Sequence, residues 1–207
     1  MILQIPDVLT GAELAGIRQM LPDSAWKDGV LQATQSALDL GQMVSNAVQA
    51  KPKFLSAALP LRIFPPQFHR YPDLQRAEPT PSIRSISITT ERVRTDLTAV
   101  LFLSPPDTYE GGELVVDTYG SQSLRLPAGH LVLYPAGGKV TIRKVTKGFA
   151  FHCTLWVQSM IRDDSQRKLL YDMDSAVQLL AGDFPDHPST LRLAAVYQNL
   201  LRYWAQT

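Results

Sequence analysis

RTDLTAVLFLS, residues 94–104, opens the part of the chain whose reading decides the fold. β-Branched and aromatic residues alternate with leucines along it, and a Ser-Pro-Pro turn ends it, so it reads as a strand. Runs of the same kind follow: GELVVDTYG (112–120), QSLRLP (122–127), HLVLYP (130–135), KVTIRKV (139–145) and FAFHCTLWVQ (149–158). Upstream, QFHRY (67–71) and ISITTERV (86–93) belong to the same series. Short strands bounded by Pro, Gly and Asp turns, with no helix between them, predict a double-sheet jelly roll of the cupin-like kind whose mouth holds a ligand.

Helical signals flank this β-rich middle. Thr10 and Glu13 have capping-box spacing ahead of Leu14, Ile17 and Leu21, which predicts a helix over 11–20. Residues 34–49 have helical composition, 54–59 prolong or follow that helix, and Pro60, Pro65 and Pro66 mark the change to strands. After the barrel, Asp163 or Ser165 starts a helix running through Leu180. Beyond GDFPDHP, Ser189 and Thr190 begin another, carrying Leu193, Val196, Leu200, Leu201 and Trp204. The fold class expected is mainly β with flanking helices: a double-stranded β-helix core with N-terminal helices over residues 1–160, and a small C-terminal helical module over 161–207.

Composition bounds the function. At 207 residues, 45% hydrophobic and 19% charged, the chain can bury a sizeable core. A formal net charge of +1 gives no footprint for nucleic acid. The arginines of the middle region, Arg62, Arg70, Arg76, Arg84, Arg92 and Arg94, form no helical stripe and are expected to solvate strand edges and loops. No apolar run reaches membrane-span length and no leader peptide is visible, so a cytoplasmic protein with no membrane span is expected. The single cysteine, Cys153, excludes an intrachain disulfide and reads as a buried, inert thiol.

The order and spacing of RTDLTAVLFLS, YEGGELVV (109–116), LPAGHLVLYP (126–135) and WVQSMIRDD (156–164), together with PDVL near the N-terminus and a tail ending LLRYW, resemble the PKHD-type hydroxylases. These are iron(II)- and 2-oxoglutarate-dependent dioxygenases related to prolyl 4-hydroxylases. The resemblance implies the double-stranded β-helix fold and, for the family, iron(II), 2-oxoglutarate and ascorbate as cofactors. It also implies two metal histidines, a metal aspartate and a cosubstrate arginine. Aligned on the family pattern, this chain has Thr80 and Ser82 at the positions of the proximal histidine and aspartate, Val140 at the distal histidine and Ala150 at the arginine. No histidine lies between His69 and His130. Tyr71 keeps a position similar to a family cosubstrate contact.

Strand alternation puts His69 on the face of Tyr71, and His152 on the face of Ala150. His69, Tyr71 and His152 are therefore the pocket candidates. Two readings stand side by side. Either His69 and His152 form a relocated metal site or an acid–base pair, or they fill space vacated by the arginine and cofactor, hydrogen-bonded to backbone carbonyls. His130 and His187 read as surface residues, and Asp96 as a turn contact of Arg94. The leading expectation is a non-catalytic binding, scaffolding or regulatory protein, without cofactor or metal, assembled as a homo-oligomer or beside a related catalytic chain. The alternatives are an enzyme with rewired pocket chemistry using His69 and His152, and an iron(II)/2-oxoglutarate hydroxylase with unrecognised ligands.

Overall fold

The structure is a computed structural model, and it describes residues 1–21, 26–71, 76–77, 83–85, 92–118, 120–185 and 187–206. β1 (Leu3–Ile5) and α1 (Gly11–Met20) come first, then β2 (Trp26–Lys27), β3 (Val30–Leu31), α2 (Gln35–Gln49) and α3 (Pro52–Ala58). The strands β4 (Pro60–Ile63), β5 (Gln67–Tyr71), β6 (Arg76–Ala77), β7 (Ile83–Ser85), β8 (Arg92–Arg94) and β9 (Leu97–Phe102) follow. After them come β10 (Glu110–Gly111), β11 (Leu114–Asp117), β12 (Ser121–Leu124), β13 (Leu131–Pro135), β14 (Lys139–Ile142), β15 (Val145–Lys147) and β16 (Ala150–Ser159). Two helices, α4 (Asp164–Asp183) and α5 (Pro188–Trp204), complete the order.

The larger sheet has eight strands in the order β1-β13-β9-β16-β5-β3-β2, with β4 also paired to β16. Facing it is a four-stranded sheet, β12-β11-β14-β6, and two-stranded ladders join β10 to β15 and β7 to β8. Alternate residues of the larger sheet serve two cores. Phe68, Ala99, Leu101, Cys153, Leu155 and Val157 pack under the helices with Val44, Val48 and Phe54. Tyr71, Val100, Phe102, Val132, Tyr134 and Ala150 point the other way, against Leu114, Val116, Val140 and Ile142 of the smaller sheet. This second core is the interior of the jelly roll. β9 is buried along its whole length because it is covered on both faces.

Local sequence explains the element ends. Thr10 Oγ1 accepts from Glu13 N while Glu13 Oε2 accepts from Thr10 N, so the expected capping box closes α1. Thr34 and Asp163 cap α2 and α4 through their side-chain oxygens. The β2–β3 hairpin was not expected: each strand is two residues long, too short for a period-two pattern. Asp28 (φ 50°) and Gly29 (φ 76°) make its turn, where both central residues need positive φ. The run KVTIRKV divides into β14 and β15 around Arg143 and Lys144. Of ISITTERV, residues 86–91 lie outside the described ones.

The C-terminal helices pack on the barrel through Leu59, Ile161 and Leu170, with Tyr197, Leu200, Leu201 and Trp204 covering that cluster. Ser159 Oγ donates to Leu59 O (3.2 Å) and accepts from Ile161 N (3.1 Å), tying the end of β16 to the end of α3. The N-terminal ammonium adds an ion pair with Asp164 at 3.2 Å. Among the described residues, no helix is long and apolar enough to cross a membrane.

Candidate functional site

The jelly-roll interior brings the expected pocket residues together. On β5, Phe68 points to the helices, so His69 and Tyr71 point inward as strand alternation requires. On β16 the same alternation turns Ala150, His152, Thr154 and Trp156 inward and Cys153 outward. Antiparallel pairing sets His152 directly opposite His69, and Ala150 opposite Tyr71. His152 also stands opposite Phe102 of β9. The His69 and Tyr71 rings stack at 5.8 Å with 8° between their planes. Tyr71 and His152 lie 5.3 Å apart, and Phe102 and His152 4.6 Å, both tilted.

This cluster is shielded from bulk solvent. His69, Tyr71 and His152 are all buried, His152 to 1% exposure. Burial pulls the His152 imidazole down to about 3, with the neighbouring His69 adding to the shift, because the charged form has lost its water. His152 is therefore neutral at ordinary pH. Neither of its ring nitrogens has a hydrogen-bond partner among the described residues, and the same holds for Thr98 Oγ1 and Thr154 Oγ1 on the same inward face. The backbone carbonyl partner expected for a space-filling His152 is absent there. Buried polar atoms normally find partners, so this row holds donors and acceptors that the described residues leave unused.

The remaining expected positions divide. Val140 and Ala150 both face the interior as small or apolar core residues. Thr80 and Ser82 lie outside the described residues. No group of three or more His, Cys, Asp or Glu side chains converges among the described residues.

Other expectations resolve as structural. Cys153 is buried and its thiol pushed up by desolvation, which makes it inert. Asp96 accepts Arg94 Nε and Nη2 at 2.7 and 2.9 Å and Ser159 N at 2.9 Å, a clamp between strand ends. His130 meets Asp7 at 3.5 Å, and His187 Nδ1 accepts from Ser189 N to cap α5. Arg70 departs from expectation. Instead of solvating a strand edge, its guanidinium lies 3.9 Å from the centre of the Phe149 ring. No sequence pattern marked this contact, since residues 70 and 149 meet only through the β5–β16 pairing.

Similarity to known proteins extends over the chain. Residues 164–206 match the PKHD-type hydroxylase C-terminal domain. A PKHD-type hydroxylase of Parvibaculum lavamentivorans is 41% identical, with 100% of both chains covered. Another PKHD-type hydroxylase, from Bordetella pertussis, is 44% identical over 99% of both. Among solved structures, HygX from Streptomyces hygroscopicus, with nickel and 2-oxoglutarate bound, covers 77% of this chain and 83% of its own at 14% identity, with a TM-score of 0.53, and shares the fold.

These relatives overturn the expectation of a non-catalytic binding, scaffolding or regulatory protein. That reading rested on Thr80, Ser82, Val140 and Ala150 and on the absence of a histidine between His69 and His130, whereas proteins alike over their full length carry hydroxylase names. A barrel interior is lined by many strands, and donor-poor residues at chosen positions do not empty it of chemistry: His69 and His152 stand on the strands beside Ala150. With likeness at this level running from end to end, the chain belongs to the PKHD-type hydroxylase family.

Proposed function

We propose that this protein is a hydroxylase that acts on a substrate held in the jelly-roll interior, against His69, Tyr71 and His152. The full-length likeness to PKHD-type hydroxylases is the observation that carries the reaction class. The inward row of buried polar side chains supports the location.

HygX holds nickel and 2-oxoglutarate, which supports iron(II) and 2-oxoglutarate as the cofactors to test against this chain. The fit fails on the described residues. His69 and His152 offer two imidazoles, no carboxylate joins them, and Ala150 offers no guanidinium to a 2-oxoacid. No step is therefore routed through either group. What these residues do is positional. A neutral His152 donates from one ring nitrogen and accepts at the other, Thr98 and Thr154 add hydroxyls, and Phe102 and Tyr71 keep water away. A substrate held there needs a polar group for His152 and a C–H bond beside it.

The test is incubation of the purified protein with a metabolite extract, added iron(II) and excess 2-oxoglutarate under heavy-isotope dioxygen, the 2-oxoacid being the reductant that takes the second oxygen atom, followed by mass spectrometry. One product should gain a heavy oxygen atom, and H152Q and Y71F should lower its yield by roughly a hundredfold while keeping the wild-type circular dichroism. Absence of any labelled product refutes hydroxylation. Undiminished labelling in both variants refutes the location.

A further inference from the structure

Arg70 and Arg18 share a cavity on the other face of β5 from His69 and Tyr71. Arg70 points outward beside Phe68, and Arg18 comes from the last turn of α1. The cavity measures about 520 Å³ and is walled by Trp26, Leu103, Phe149 and Phe151. Its aromatic side is ordered. Trp26 and Phe151 meet edge to face at 5.7 Å, and Phe149 and Phe151 lie 6.5 Å apart. Arg70 is stacked on this wall, 3.9 Å from the Phe149 centroid and 5.7 Å from that of Phe151.

Both cations are held in place yet lack counter-charges among the described residues. Arg18 Nη2 donates to Leu103 O at 3.0 Å, which fixes the guanidinium at the cavity wall. Arg70 Nε is buried with no hydrogen-bond partner among the described residues. No ion pair joins either arginine to a carboxylate among those residues. The floor beside them is pinned by Ser104, whose Oγ accepts from Phe151 N at 3.0 Å and donates to Phe149 O at 3.3 Å. Stacking leaves the N–H edge of the Arg70 guanidinium free for a planar anion, and the remaining N–H groups of Arg18 add a second cationic donor set suited to a carboxylate. The aromatic wall selects the body that carries it.

We propose that this cavity binds a small aromatic carboxylate, its carboxylate between Arg18 and Arg70 and its ring against Trp26, Phe149 and Phe151. The site is separate from the jelly-roll interior, and its occupant need not be the substrate.

Isothermal titration calorimetry of the whole protein with naphthoate, naphthalenemethanol and inorganic phosphate tests this. Naphthoate should bind at least roughly tenfold more tightly than either other probe, because only it satisfies the cations and the wall together. R18Q and R70Q should each weaken it by about tenfold, and R70K should weaken it as well, since lysine keeps the charge but loses the planar fork. Equal binding of naphthalenemethanol overturns the role of the arginines, and equal binding of phosphate overturns the aromatic wall. No heat with naphthoate overturns the site. The three-probe comparison on the wild-type protein stands even if a variant fails to fold.

Discussion

His152 of β16 and His69 of β5 are direct partners across an antiparallel ladder, two buried imidazoles facing one another inside the jelly roll. Burial of His152, reinforced by the neighbouring His69, has a consequence for stability against acid. His152 titrates near 6.5 when unfolded and near 3 when folded, so between those values the unfolded chain binds more protons and stability falls as pH falls. Thermal unfolding of the wild type should therefore lose ground to H152Q as pH drops from 7 toward 3, by on the order of 4 kcal/mol at the acid end. Parallel pH profiles would contradict this.

The Asp96 clamp should be a strong single contributor to stability. D96N keeps the shape but gives up charge-assisted bonds to Arg94 and replaces one acceptor oxygen with an amide nitrogen beside Ser159 N or Arg94. Urea denaturation should show a loss of roughly 2–3 kcal/mol. A loss below about 0.5 kcal/mol would place the clamp among ordinary surface pairs.

Gly129 has φ +86°, and a Cβ there would lie 2.7 Å from Leu9 O. Its own carbonyl accepts from Val8 N and Leu9 N, and its N–H donates to Phe102 O. G129A should cost more than about 1 kcal/mol in denaturant titration and loosen the N-terminal segment, read as faster amide exchange at Val8 and Leu9.

Leu170 is buried where α4 meets Leu59 and Ile161. L170A should destabilise by about 2–4 kcal/mol. Because the Leu59–Ile161–Leu170 cluster and the pair between the N-terminal ammonium and Asp164 tie the helices to the barrel, barrel and helices are expected to unfold in one transition by both calorimetry and circular dichroism. Two resolved transitions would show the helical pair to be an independent unit.

What could be read from sequence follows the range of the interactions. The Thr10–Glu13 box, the Asp163 helix start and the inward facing of His69 and His152 depend on neighbours a few residues away or on alternation within one strand, so they were legible. The β2–β3 hairpin was not, because two-residue strands carry no period. Nor was the Arg18–Arg70 cavity, which is assembled from α1, β5 and the turn before β16. The mistaken expectation of a non-catalytic protein shares that origin: positions were judged one by one, while an interior is supplied by several strands at once.

The position of β16 carries a last consequence, for how the chain is made. This strand pairs with β9, β5 and β4, so residues 150–159 join segments that leave the ribosome long before them. Until residues 150–159 have been synthesised, β5 and β9 have no common neighbour and leave open hydrogen-bonding edges. Completion of the barrel thus waits on β16, and nascent chains stalled before Ala150 are expected to be the most prone to edge-to-edge association.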